Sequence, residues 1–197
     1  MIESRNYIKG VEKKNNFRLP RITLQPNDHL TDEDIDWLTV HLQLKLQIEL
    51  VPTTCWWLNV RSNLTSRQWD KIRHFVYNRA NFCCEVCGQQ GTKHPVECHE
   101  VWSYDEANLI QELIYFEALC PLCHEVKHIG WAEVRGNVSR AFERFQTINH
   151  INSTMAQEII KAVIKHWKLR SLQNWEINIQ HLSGYPINLD KIKKLPA

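Results

Sequence analysis

Two matching stretches decide how this chain folds, Cys84-Glu85-Val86-Cys87 and Cys120-Pro121-Leu122-Cys123. Each stretch places two thiolates with two residues between them, a spacing that lets both sulfurs bind the same ion. Two such pairs complete a tetrahedral set of four sulfurs, the coordination typical of a structural Zn²⁺. The sequence therefore predicts a zinc site that ties the loop near Gly88 to the start of a helix after Cys120.

Two histidines follow directly on the second cysteine pair. Residues 120–128 are predicted to open a helix, with Pro121 in its first turn, where a missing N–H costs nothing. On that helix His124 and His128 are four residues apart and share one face. Two imidazoles at this spacing can bind one divalent cation.

A third histidine lies between the cysteine pairs. Residues 96–102 alternate in character and predict a strand, whose period of two places Glu97 and His99 on one face. A ligand from this strand would complete a metal site with the helical histidines, leaving room for a phosphate oxygen and a water molecule. Histidines beside a zinc site can also be plain surface residues, but two at helical spacing favour a functional site.

This arrangement resembles the His-Asn-His (HNH) endonucleases, many of which carry an outer zinc held by two Cys-x-x-Cys pairs. In that family a strand with an acidic residue or His followed by His lies between the pairs, and a final His follows the last cysteine. The residues that match, within about 80–130, are Cys84, Cys87, His99-Glu100, Cys120, Cys123 and His124. The additional His128 is similar to the paired helical histidines of nuclease bacteriocins.

The resemblance implies a ββα-metal unit in which His124, with or without His128, binds a catalytic metal and the strand supplies a further ligand and the general base. If His99 aligns with the first strand position, it is a ligand and Glu100 is the base. If the register slips by one, His99 is the base, and Cys98 falls at the ligand position unless Glu97 supplies an oxygen. His99 is essential in either register.

The implied activity is hydrolysis of DNA phosphodiester bonds. The implied cofactors are a structural Zn²⁺ and a catalytic divalent cation, Mg²⁺ or Mn²⁺, with Zn²⁺ or Ni²⁺ as alternatives at a histidine-rich site. The metal would stabilise the negative charge that builds on the phosphate and on the leaving oxygen. The second hypothesis is a non-catalytic zinc module that binds nucleic acid or protein.

The chain departs from the family pattern between the strand and the second cysteine pair. The middle Asn of the family normally lies close before that pair, where this chain has Tyr115, and the nearest Asn is Asn108. Asn108 could order the intervening loop or could be a helix-start or turn residue. Residues 105–117 are predicted to form an inserted helix, from the spacing of their apolar side chains.

The remaining segments predict an α+β fold in three regions, an N-terminal extension (1–60), an HNH-like core (61–134) and a C-terminal helical region (135–197). Residues 1–30 are either a loose arm or a segment that contributes a strand. Helices are predicted from Thr31, which is a good capping residue, to about residue 41 and from Ser66 to about residue 78. Two further amphipathic helices are predicted over 134–149 and 154–169, and extended segments over 42–50, 56–60 and 175–179.

Composition narrows the class of protein without naming a function. The 197 residues are 43% apolar and 23% charged, as in ordinary globular proteins, and the net charge of +2 neither supports nor excludes nucleic-acid binding. Seven cysteines, an odd number, and the lack of any signal-like or transmembrane apolar run suggest a reduced, cytoplasmic protein. Trp56, Trp57, Trp102 and Trp131 could stack on bases, although core positions are favoured for each.

Overall fold

The computed structural model describes residues 16–187. Within that range the chain forms seven α-helices and one three-stranded sheet, so the predicted α+β class is confirmed. The helices are α1 (Asp32–Leu42), α2 (Val60–Asn63), α3 (Ser66–Arg79), α4 (Pro121–Lys127), α5 (Ile129–Val134), α6 (Val138–Asn149) and α7 (Ser153–Arg170). The strands are β1 (Glu97–Asp105), β2 (Ile110–Leu119) and β3 (Glu176–Asn178).

The centre of the fold is an antiparallel hairpin of β1 and β2, with β3 added parallel to β2. The predicted helix over 105–117 is wrong, because this stretch is the hairpin turn and most of β2. The Asp105 carboxylate accepts hydrogen bonds from the N–H groups of Ala107 and Asn108, at 3.1 Å each, and so closes the turn. Asn108 is therefore a turn residue, and its side chain also donates to Asp105, at 2.6 Å.

The expected strand over 42–50 is also wrong, although the side chains behave as the alternation suggested. Leu46 and Ile48 are buried at 0% and 3% exposure. The backbone hydrogen bonds go to side chains and to a helix carbonyl instead of to a neighbouring strand. Asn149 bonds both the N–H and the carbonyl of Leu46, at 2.9 and 2.8 Å, and the N–H of Glu49 donates to the carbonyl of Lys127, at 3.0 Å. The N–H of Ile48 donates to Nε2 of His41, at 2.9 Å. Because buried backbone groups need partners, these two side chains replace a sheet.

The predicted helices are mostly confirmed, with shifted ends. Thr31 caps α1 in a capping box with Asp34, as the sequence indicated. The cap of α3 is Thr65 rather than Ser66. The stretch 56–60, expected to be extended, lies in a 3-10 helix at Thr53–Leu58 and the start of α2, so that prediction is wrong.

The later helices differ from the prediction at one boundary. Residues 134–149 do not form one helix, because α5 ends at Val134 and α6 begins at Val138. Gly136 takes a left-handed conformation (φ +75°) between them, which a side chain would disfavour. The helix over 154–169 and the final strand are confirmed as α7 and β3.

Two apolar clusters hold the fold together. The larger one joins the inner faces of α4, α5, α6 and α7 to Leu119 and to the irregular segment around Leu46. The smaller one packs α3 against the opposite face of the hairpin through Ile72, Leu113 and Phe116. Side chains from all three expected regions enter the larger cluster; the division into 1–60, 61–134 and 135–197 stays a prediction. In the described range, no helix combines the length and apolar character needed to cross a membrane.

Candidate metal centre

The four predicted cysteines come together as one cluster. Cys84 and Cys87 lie in the loop after α3, while Cys120 caps α4 and Cys123 lies in its first turn. The four sulfur atoms all lie within 4.8 Å of one another, and those of Cys87 and Cys120 are 3.7 Å apart. Sulfurs bound at about 2.3 Å to a tetrahedral Zn²⁺ lie roughly 3.8 Å from one another, so the cluster fits zinc.

The surroundings of this cysteine cluster favour thiolates. Arg144, from α6, places its Nη2 at 3.4 Å from the Cys123 sulfur and 3.9 Å from the Cys120 sulfur. A guanidinium there offsets the net negative charge of four thiolates around a divalent ion.

The other cysteines stay outside the cluster. Cys98 lies on the opposite face of β1, packed against the smaller apolar cluster. Burial and the nearby Glu100 charge raise the pKa of Cys98 to about 12, so its thiol is neutral and a poor ligand. Cys83 is half-exposed, and Cys55 is buried.

Three histidines form a second cluster, called here the histidine cluster: His99 from β1, His124 from α4, and His128 at the junction of α4 and α5. One ring nitrogen from each lies within 4.8 Å of the others. Nδ1 of His99 is 3.2 Å from Nε2 of His128. Two nitrogens bound at about 2.0 Å to one tetrahedral ion lie roughly 3.3 Å apart, so this pair is spaced for a shared cation.

Carboxylates fix the orientation of two of these rings. Glu49 Oε2 lies 3.0 Å from Nε2 of His99, and Glu97 Oε2 contacts Nδ1 of His124. Since an ionised carboxylate only accepts hydrogen bonds, these ring nitrogens donate, and the other nitrogen of each ring is the one placed to bind a cation. A carboxylate behind a histidine is the usual outer partner of a metal ligand.

Burial keeps the third ring neutral. It lowers the pKa of His128 to about 3, with help from the neighbouring His99 and His124. A neutral imidazole has a lone pair to offer a metal, whereas a protonated one has none. The histidine cluster therefore has the donor set of a metal site, and His128 is neutral as metal binding requires.

A buried ion network, missed by the sequence analysis, supports His99 from behind. Lys127 Nζ lies 2.6 Å from Glu49 Oε1 and 2.9 Å from Glu117 Oε1. Burial alone would raise the pKa of Glu49, but its hydrogen bond with His99 and the Lys127 charge lower it to about 2. Burial opposes the Lys127 charge, yet the two carboxylates raise its pKa. Nothing in the sequence marks this network, because Glu49 is 50 residues from His99.

Glu100, a predicted catalytic residue, is not brought into the histidine cluster. Its carboxylate accepts from the N–H groups of Val60 and Arg61, at 3.1 and 2.9 Å, at the start of α2. Burial raises the pKa of Glu100. Glu97, three residues earlier, is the strand carboxylate that contacts a cluster histidine. The alternation of β1 had placed Glu97 and His99 on one face, with Glu97 as a possible oxygen ligand in one register.

Two cavities, of about 560 and 1110 Å³, meet at the histidine cluster. Both are lined by His124, His128 and Trp131. The smaller cavity also reaches Glu97, and the larger one reaches His99 and Glu49. The cluster is thus open to solvent and to a ligand, unlike the cysteine cluster, where four sulfurs close the coordination.

Comparison of the chain with protein-family models, curated proteins and solved structures finds no match.

Proposed function

We propose that this protein is a metal-dependent endonuclease that hydrolyses phosphodiester bonds of DNA. The observation that supports the proposal most is the convergence of His99, His124 and His128 beside, but separate from, the four cysteines. A zinc module that only binds a partner needs one closed structural site. It has no use for a second group of imidazoles, oriented by carboxylates and open to two cavities.

In this proposal the histidines and the carboxylates behind them have separate roles. The three histidines hold a divalent cation, which supplies Lewis-acid stabilisation of the phosphate charge. Glu49 orients His99 through Nε2, and the Lys127 ammonium keeps Glu49 ionised. Glu97 orients His124 and lines the smaller cavity, so in this proposal it takes the base role that the resemblance gave to Glu100 or to His99.

The chemistry of the three imidazoles also narrows the choice of catalytic metal ion. Imidazole nitrogens suit Zn²⁺, Ni²⁺ and related ions, whereas Mg²⁺ prefers carboxylate oxygens and water. We therefore expect the strongest activity with Ni²⁺ or Zn²⁺, less with Mn²⁺ and the least with Mg²⁺. The structural Zn²⁺ would be bound by the cysteine cluster.

The test is digestion of supercoiled plasmid by purified protein in a series of divalent ions. Wild type is expected to nick or linearise the DNA, and His124→Ala and His99→Ala are expected to reduce the rate by at least about 100-fold. His181→Ala is the matched control, because His181 is exposed and outside the cluster. Equal cleavage by wild type and both cluster variants would show that the activity comes from elsewhere.

The alternative is a non-catalytic zinc module, favoured by the closed set of four sulfurs. It predicts one tightly bound Zn²⁺ per chain and intact DNA in every metal. The plasmid assay, combined with metal analysis of the same preparation, separates the two readings.

A further inference from the structure

Three tryptophans are unusually exposed. Trp56, Trp57 and Trp131 are 54%, 83% and 58% exposed, although the sequence favoured core positions for them. A large aromatic ring left in water gains no burial energy within the monomer, and such rings often mark a binding surface. The three indoles differ in how close they lie to the histidine cluster.

Trp131 lies where the two cavities meet. It belongs to α5, and its backbone N–H donates to the backbone carbonyl of His128, at 2.9 Å, so the residue begins the helical turn that follows a cluster histidine. Trp131 lines both cavities, Trp56 lines the larger one, and Trp57 lines neither. A chain that ran from one cavity to the other would cross the histidine cluster and pass Trp131.

Positive charge accompanies this ring. The Arg135 guanidinium lies 5.5 Å from the ring centroid of Trp131. Lys93, Arg135 and Arg140 line the smaller cavity. The two acidic residues of the same lining are already engaged, Glu97 with His124 and Glu125 with Arg140. Lys93 and Arg135 therefore remain to contact phosphates.

The size of the cavities indicates an extended ligand. The larger cavity alone, about 1110 Å³, exceeds the range of roughly 300–1000 Å³ that holds drug-sized molecules. Two such cavities joined at one cluster suit several linked units rather than a single nucleotide. Aromatic side chains combined with a positively charged groove are the usual means of binding single-stranded nucleic acid.

We propose that Trp131 is a stacking platform for an unpaired base, and that the substrate enters the site as a single-stranded segment of DNA. This inference rests on the proposed nuclease function. Within a duplex both faces of a base are covered by its neighbours, so an indole beside the cluster can stack only on a base that is unpaired or splayed out. The platform would then hold the adjacent phosphate at the histidine cluster.

The experiment measures binding by fluorescence anisotropy with labelled 12-nucleotide strands. The probes are oligothymidine, an abasic strand of the same length, oligouridine and a 12-base-pair duplex, without added divalent ion and with each strand checked for integrity afterwards. Trp131→Ala is expected to weaken oligothymidine binding about tenfold or more, and Trp131→Phe to keep most of it. Trp57→Ala, the matched control on an exposed indole outside both cavities, is expected to change nothing.

Several results would overturn the inference: equal binding by Trp131→Ala and Trp57→Ala, abasic or duplex probes bound as tightly as oligothymidine, or tighter binding of oligouridine. Circular dichroism confirms that each variant is folded. The plasmid assay keeps the two proposals separate. If wild type cleaves DNA but Trp131→Ala cleaves single strands equally well, the platform fails and the nuclease stands. If Trp131-dependent binding is found without any cleavage, the nuclease fails and the platform stands as a binding site.

Discussion

The cysteine cluster and the histidine cluster sit side by side on β1, α4 and the loop before them, but they are built differently. The four cysteines come from two short stretches, and each pair is set by local spacing. The histidine cluster instead depends on Glu49, which reaches His99 from a segment 50 residues earlier. Each half of the cysteine cluster is thus set by local spacing and the cluster is closed, whereas the histidine cluster takes its supporting carboxylate from a distant segment and stays open.

The largest effect is expected from breaking the cysteine cluster. Cys123→Ser removes a fully buried ligand, and structural zinc sites contribute on the order of 10 kcal/mol to folding in small domains. We expect loss of bound Zn²⁺ and loss of the cooperative thermal transition, measured by metal analysis and circular dichroism. Cys83→Ser is the matched control, since Cys83 lies next to Cys84 but outside the cluster. A zinc-free Cys123→Ser protein with wild-type melting would refute the structural role.

The ion network behind His99 is expected to give the next largest effect. Lys127→Met leaves Glu49 and Glu117 without their shared cation, and breaking a buried ion pair in this way costs about 3–5 kcal/mol. Urea denaturation measures the loss. Lys161→Met removes an exposed lysine paired with Glu158 and should change stability by less than about 1 kcal/mol. Equal effects of the two substitutions would contradict a special role for the network.

The third effect appears as pH dependence. Burial lowers the pKa of His41 to about 4, and its neutral ring accepts the N–H of Ile48, which positions the segment that carries Glu49. Because the folded pKa lies below the ordinary value near 6.5, this stability is present above pH 6.5 and is lost as the pH falls toward 4. The shift corresponds to about 3 kcal/mol.

His41→Gln tests this expectation, because a glutamine side chain can accept the same hydrogen bond without titrating. Urea denaturation at pH 7, 6, 5 and 4 should show wild type losing more stability than the variant across that window. Parallel curves would mean that another group causes the acid sensitivity.

The smallest expected effect is a change in the metal affinity of the histidine cluster. Glu49→Gln keeps a hydrogen-bonding group beside His99 but removes its charge, and changes to the partner behind a metal ligand typically weaken metal binding 10- to 100-fold. Calorimetric titration of the zinc-loaded protein with Ni²⁺ measures this affinity. Glu143→Gln, at an exposed position on α6, is the control. Unchanged Ni²⁺ affinity in Glu49→Gln would remove Glu49 from the account.

The same contrast explains what the sequence could and could not predict. Cysteine spacing and strand or helix periodicity are local, so the two cysteine pairs, β1, α4 and the histidine positions followed from them. Residues 42–50 alternate like a strand, but whether a partner strand exists is a property of the whole fold, and Asn149 and His41 supply the hydrogen bonds instead. The apolar spacing of 105–117 fits helix and strand alike, and only pairing with β1 decides it.

The site residues likewise divide into those that local spacing predicted and those that only tertiary packing brings together. The strand alternation placed Glu97 and His99 together. The resemblance offered Glu100 as the base in one register and His99 in the other, and the fold turns Glu100 toward α2. Glu49, Lys127 and Glu117 meet through tertiary packing, and no spacing in the sequence signals it.

The central claim is that His99, His124 and His128 bind a metal ion separate from the one held by the four cysteines. Crystals of the zinc-loaded protein soaked in Ni²⁺, with anomalous diffraction measured at the zinc and nickel absorption edges, test it most directly. The account predicts two peaks per chain, zinc among the sulfurs and nickel among the three imidazoles. A single peak among the sulfurs, with the imidazoles free of metal, would contradict it.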